Sequence, residues 1–143
     1  MAQLIEFCLR HPLLVGATLT AVIALIVNEL RLRGQSGVSV PAQEAVRLIN
    51  QGATVVDVRD AAKFDSGHIV DAINVPAAEL TAKAEARLKK KRPVLLVCDT
   101  GNSSARLVAP LRQAGFENTW SLDGGLAGWA RDNLPVVASR ART

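Results

Sequence analysis

Short apolar runs alternating with helix-spaced segments across residues 38–137 predict a single α/β domain, with a parallel sheet flanked by helices. The run Val94-Leu95-Leu96-Val97 is apolar throughout, as expected of a strand buried on both faces of such a sheet. A charge-free stretch, PLLVGATLTAVIALIV, precedes the domain and predicts one N-terminal transmembrane helix. The 143 residues suffice for one ordinary domain with an appendage.

The charge-free stretch, residues 12–27, is somewhat shorter than a ~30 Å hydrocarbon core at ~1.5 Å per residue. Its flanks lengthen it, because Leu4, Ile5, Phe7 and Leu9 precede it, Leu30 and Leu32 follow, and Arg10 and Arg31 can snorkel. Residues 1–33 therefore read as a membrane anchor, with the span at about 12–30. A cleaved signal peptide competes with this reading. No Ala-x-Ala site follows the apolar run, however, and Asn28-Glu29-Leu30-Arg31 stands where cleavage is expected. Arg31 and Arg33 outweigh Arg10, so the positive-inside bias predicts a single-pass inner-membrane protein with its domain in the cytoplasm. Thr18 and Thr20 can bond back within the helix, and Cys8 reads as packing rather than lipidation. Gly34-Gln35-Ser36-Gly37 is a short flexible linker, residues 34–37.

Net charge is +4, concentrated in Lys89-Lys90-Lys91-Arg92 and in a basic tail, residues 138–143, holding Arg140 and Arg142. Aromatic residues make up only 3% and Tyr is absent, which leaves little to stack bases on, so no nucleic-acid partner is expected. A solvated basic face near anionic lipid fits better. Cys8 and Cys98 lie in segments of different character, which argues against a framework disulfide and for a reduced compartment. Neither metal nor cofactor is expected, since two histidines and one domain cysteine form no recognised ligand spacing.

Within the domain, Ala42, Ala45, Val46 and Ile49 have helical spacing between Pro41 and Gly52, predicting a helix over 42–50. Strands are expected at 54–58, 72–75, 93–97 and 119–122, with helices around 77–89 and 104–114. Pro110 falls inside the last of these helices and should kink it.

Binding sites in parallel sheets lie beyond the carboxyl ends of the strands. Two polar junctions stand there, Asp57-Val58-Arg59-Asp60 and Cys98-Asp99-Thr100-Gly101-Asn102-Ser103-Ser104. A thiol that ends a buried strand and precedes a glycine-bearing turn and a helix start can sit in a cup of inward-pointing N–H groups. Such a cup lowers the thiol pKa and holds a persulfide or an oxyanion. On strand position alone, a buried inert cysteine is equally open.

Three motifs bear on that choice: VVDVRDAAKFDSGHIVDAINVP, CDTGNSSA and AGFENTWSLDGGLAGW. Together they resemble the rhodanese family of sulfurtransferases over residues 38–137. The resemblance implies a rhodanese-like domain in which Cys98 takes sulfur from a donor, becomes a persulfide and passes it to a thiol acceptor. It makes residues 98–103 the active loop, of a length suited to sulfur, where related phosphatase-like domains use a longer loop ending in arginine. It matches Asp57 and Arg59 to the family's Asp-x-Arg, a pair suited to bracing the loop by charge-assisted hydrogen bonds. Asp60 should cap a short helix, and His68 is expected to be structural because persulfide chemistry needs no base. Gly124, Gly125 and Trp129 resemble the family's Gly-Gly turn and following tryptophan.

The loop departs from the family at two positions. Ser103 stands where many members carry arginine, and Asp99 occupies a position that is often neutral or basic. Dianionic thiosulfate is therefore expected to bind less well, and Asp99 to oppose thiolate formation. A protein or low-molecular-weight persulfide becomes the expected donor. Ser104 stands where a cysteine phosphatase would have its arginine, which argues against oxyanion hydrolysis. The competing reading is a membrane-tethered interaction module with a vestigial cysteine.

Overall fold

The computed structural model describes residues 10–35 and 37–139, and for residues 31–35 the backbone alone. Leu4, Ile5, Phe7, Cys8, Leu9, Ser36, Arg140 and Arg142 lie outside the described residues, as do the side chains of Arg31, Leu32 and Arg33. The chain divides into two units, Met1–Gly37 and Val38–Thr143.

In the first unit, helix α1 (Pro12–Gln35) extends on the order of 36 Å. Its Pro12–Leu30 segment has a mean hydropathy of 2.1 and is long and apolar enough to cross a membrane. Leu13, Leu19, Ile23, Leu25 and Leu30 are all exposed. The Thr18 hydroxyl donates to the Leu14 carbonyl at 2.8 Å and that of Thr20 to Gly16 at 2.9 Å, so neither adds an unpaired donor to the apolar surface.

The second unit runs β1 (Ser39–Val40), α2 (Ala42–Asn50), β2 (Thr54–Asp57), α3 (Ala61–Ser66), β3 (His68–Ile69), β4 (Ile73–Asn74), α4 (Ala77–Arg87), β5 (Val94–Val97), α5 (Asn102–Gln113), β6 (Thr119–Leu122), α6 (Gly125–Arg131) and β7 (Val136–Val137). Five strands pair in parallel in the order β1-β6-β5-β2-β4. Strands β3 and β7 form a separate antiparallel pair. The domain is thus an α/β fold with a parallel sheet flanked by helices.

The two central strands show why this sequence folds so. Side chains alternate between sheet faces. Val56, Val94 and Leu96 join Leu80, Val108, Leu111 and Phe116 in one core, while Val55, Leu95 and Val97 join Ala45, Leu122 and Trp129 in the other. Every residue of β5 is buried, as its continuous apolar run required. Helix α2 keeps both expected ends, with Pro41 before its first turn and Gly52 at φ +91° after its last.

Asp60 caps α3 through a bond from the Lys63 backbone N–H to its carboxylate, 2.9 Å. Helix α5 begins two residues earlier than the spacing predicts, because Gly101 already serves as its left-handed N-cap, and it continues through Pro110. Val58 ends the expected strand 54–58 by donating to the Val97 carbonyl just beyond the ladder.

Candidate functional site

The carboxyl ends of β2 and β5 are adjacent, with Asp57 in register with Val97. The two polar junctions therefore meet at one edge of the sheet. Between them lies a cleft of about 340 Å³ lined by Val58, Arg59, Asp60, Lys63, Ala77, Cys98, Asp99, Thr100 and Ser103. A second cavity, about 210 Å³, lies between α2, β3 and α6, with walls such as Val46, Ile49, Trp129 and Leu134. Its lining is apolar and carries no nucleophile, whereas the first holds Cys98.

Cys98 is buried at the floor of the cleft. The Gly101 N–H donates to its Sγ at 3.1 Å and the Ser104 N–H at 3.4 Å, while the Ser104 hydroxyl lies 3.3 Å away. The loop turns its N–H groups inward because its carbonyls are occupied elsewhere. Leu126 N–H donates to the Cys98 carbonyl at 2.8 Å and Ala127 N–H to that of Asp99 at 3.0 Å, both from the first turn of α6.

That approach requires glycine at two places. Gly101 has φ +89°, and a Cβ there would lie 2.9 Å from the Leu122 carbonyl oxygen. Gly125 has φ +57°, and its Cβ would strike the Cys98 carbonyl oxygen and lie 2.6 Å from Gly101 N.

Burial, the largest single influence, pushes the Cys98 thiol pKa up. The Ser104 hydroxyl and the N–H groups of Ser104, Thr100 and Gly101 together outweigh it, so the pKa lies below the ordinary thiol value. Thiolate thus persists to lower pH than in a free cysteine, and reactivity falls as pH drops through the folded-state pKa. Ser104→Ala removes one of the lowering contacts. Its pH–rate curve for Cys98 alkylation by iodoacetamide should move to higher pH, slowing the reaction on the acid side about fivefold, the equivalent of one net hydrogen bond of ~1 kcal/mol. Coincident curves for variant and wild type would show that the hydroxyl does not stabilise the thiolate.

Ser104 has its own support. Its hydroxyl shares a 2.7 Å hydrogen bond with Ser121 on β6 and lies 3.1 Å from the Gly101 carbonyl, and both serines are fully buried. Ser121 escapes sequence reading because nothing local marks it. The available signal was a hydroxyl in a strand core, which must find a partner.

Arg59, two residues beyond β2, braces the cleft. Its Nε and Nη2 bond the buried Asp57 carboxylate at 3.0 and 2.6 Å, Nη2 also donates to the Gly67 carbonyl at 2.7 Å, and Nη1 reaches Asp99 at 3.4 Å. The Asp57 hydrogen bond raises the Arg59 pKa further. Asn74 clamps the turn by donating to the carbonyls of Asp57 and Arg59.

Asp99 does not stand as an isolated anion beside the thiol. Lys63 donates to it at 2.7 Å, and this bond, more than Arg59, holds its carboxyl below the usual carboxylate range. The expected opposition of Asp99 to thiolate formation is offset by two cations that engage the carboxylate, and the net shift of Cys98 is downward. Lys63 was also missed from sequence. Its signal was a cation in the helix directly after the Asp57-x-Arg59 junction.

Asn102 Nδ2 lies 3.5 Å from the Thr100 hydroxyl, and Thr100 and Ser103 both line the cleft. His68 stays outside, stacked on Phe64 at 3.8 Å with Nδ1 2.8 Å from the Phe64 carbonyl. Trp129 is a core residue whose indole N–H donates to the Pro135 carbonyl.

The sequence profile of the rhodanese-like domain matches residues 41–132, which include every residue of this cleft. The chain belongs to the rhodanese-like domain family. Among similar proteins, the uncharacterized protein YibN of Escherichia coli (strain K12) is 34% identical over 143 residues, covering 98% of this chain and all of that protein. The thiosulfate sulfurtransferase GlpE of Pseudomonas savastanoi pv. phaseolicola is 41% identical over 93 residues, 63% of this chain and 84% of that one. The crystal structure of a rhodanese-related protein from Thermoplasma volcanium superposes with a TM-score of 0.64 at 33% identity, over 69% of this chain and 96% of that one.

Proposed function

We propose that this rhodanese-like protein is a membrane-tethered sulfurtransferase that carries sulfane sulfur as a Cys98 persulfide. The observation that carries the reading is the cup itself: a buried sulfur facing N–H donors at the floor of an open, cation-bearing cleft. The Cys98 thiolate attacks the outer sulfur of a persulfide R–S–SH, forming Cys98–S–SH and releasing R–S⁻. An acceptor thiolate then attacks that outer sulfur, becomes the new persulfide and restores the Cys98 thiolate. With thiosulfate as donor, sulfite departs with the electron pair of the broken S–S bond.

Cys98 is the nucleophile, and Asp99, Thr100, Gly101, Asn102, Ser103 and Ser104 form the loop that receives the transferred sulfur. Asp57 and Arg59 hold that loop in place. Residues 1–33 anchor the protein in the bilayer, 34–37 link, 38–137 form the catalytic domain and 138–143 the basic tail. The domain faces the cytoplasm from the inner membrane. A reporter fused to the C-terminus checks this orientation, and a periplasmic signal would reverse it.

The decisive experiment is intact-mass analysis of the full chain in non-ionic detergent after incubation with thiosulfate or with glutathione persulfide, beside Cys98→Ser. Gain of one sulfur that is absent from the variant is expected, with the persulfide loading faster. If no donor loads folded protein, the sulfurtransferase reading fails and a tethered interaction module takes its place.

A further inference from the structure

Both cations of the cleft are already engaged, and they are engaged differently. Arg59 is buried and committed to Asp57 and the Gly67 carbonyl, so it cannot leave without exposing a buried carboxylate. Lys63 and Asp99 are bonded to each other at 2.7 Å with side chains 55% and 50% exposed. Solvent and salt leave such a pair little net strength, so it opens readily for a ligand that replaces both bonds.

This pair lines the same cleft as Cys98, and Asp99 directly follows the nucleophile. A sulfur donor whose outer sulfur reaches Sγ brings the rest of its body into the cleft that this pair lines. A dianion gains Lys63 there but leaves Asp99 facing like charge. A donor bearing an ammonium and a carboxylate on one short skeleton meets both charges of the pair with opposite ones, while the cleft's other exposed carboxylate, Asp60, is held by the Lys63 backbone N–H at the start of α3.

We infer that the Asp99–Lys63 pair is a recognition element for persulfides of α-ammonium carboxylate thiols, Asp99 receiving the ammonium and Lys63 the carboxylate. The inference rests on sulfur transfer through Cys98 and names the donor class for it. It also gives the departure at Asp99 a positive role. The residue does not merely weaken an anion site; it converts that site to one selective for zwitterions. The chemistry at sulfur is unchanged: the S–S bond of the donor breaks, the Cys98–S bond forms, and the amino-acid thiolate leaves.

Three donors related by loss of one charged group test this with the full chain in non-ionic detergent, loading of Cys98 being read by peptide mass. They are cysteine persulfide, 3-mercaptopropionate persulfide, which lacks the ammonium, and cysteamine persulfide, which lacks the carboxylate. Wild type should load from cysteine persulfide about fivefold faster than from either truncated donor, the scale of one charge-assisted contact at a half-exposed site. Asp99→Asn should erase the preference over 3-mercaptopropionate persulfide, and Lys63→Gln the preference over cysteamine persulfide.

Both substituted residues are half exposed, so folding is not at stake. Variants that keep the wild-type preferences, or that change all three rates by one factor, overturn the inference. Alkylation separates its failure from that of sulfur transfer, because it requires no donor. Asp99→Asn should raise the iodoacetate rate at Cys98 severalfold relative to neutral iodoacetamide. An unchanged ratio beside normal persulfide loading rejects the recognition role. A changed ratio with no loading from any donor rejects sulfur transfer instead.

Discussion

Gly125→Ala is expected to cost the domain roughly 3 kcal/mol or more and to abolish sulfur loading, although the glycine touches no substrate. Two effects add. The residue opens α6 at φ +57°, where an L side chain costs ~1–2 kcal/mol. Its Cβ would also lie against three backbone atoms of the Cys98 loop: the Cys98 oxygen, Gly101 N at 2.6 Å and Asp99 C at 2.7 Å. None of these can rotate aside as a side chain would. Relief requires the loop to retreat from α6, which breaks the Leu126 and Ala127 bonds that turn the N–H groups of the loop toward Sγ.

Gly52→Ala supplies the control. Gly52 has φ +91° but nothing within 4 Å of a Cβ, so it suffers strain without collision and should lose only about 1 kcal/mol. Urea unfolding followed by tryptophan fluorescence compares them, with buried Trp129 on α6 as a reporter beside the clash. Equal losses at the two positions would show that α6 and the loop can separate without harm.

The parts of the fold that were legible in sequence are those whose cause is local. The strand Val94–Val97 is apolar throughout because both faces of the sheet are covered, and α2 is bounded by Pro41 and Gly52, residues with only a few places to stand. The pair His68–Ile69 with Val136–Val137 was illegible, since two-residue strands have no period and their partners are far apart in sequence.

The site divides in the same way. Cys98, Gly101 and Ser104 could be read because one loop supplies them. Ser121 and Lys63 arrive from β6 and α3, so only tertiary packing brings them to the loop. The field at Asp99 was only partly legible for that reason: its charge was visible and its counter-charges were not.

The Asp57–Arg59 pair spans both levels, and Asp57→Ala is expected to destabilise the domain by about 3–5 kcal/mol, the usual cost of leaving a buried charge without its partner. The Asp57 carboxylate is 2% exposed and the Arg59 side chain 7%, so water cannot replace the lost bonds without entering the sheet edge. The remaining acceptors, the Gly67 carbonyl and an Asp99 oxygen at 3.4 Å, do not match a carboxylate held at 2.6 Å.

Burial also predicts how the effect responds to conditions. The loss should be nearly the same at low and high salt, because buried pairs are little screened, whereas breaking the exposed Glu79–Lys83 pair should cost under about 1 kcal/mol and less still in salt. The double replacement Asp57→Ala with Arg59→Leu removes the orphaned charge and should recover more than half of the loss. Recovery of stability without recovery of loading rate would separate holding the fold from holding the loop, since the double variant still lacks the Arg59 contact to Asp99. A single variant that loses less than 1 kcal/mol would mean that Gly67 and Asp99 alone satisfy the guanidinium, and the brace would then run from the residue that ends α3 and from the loop rather than from β2.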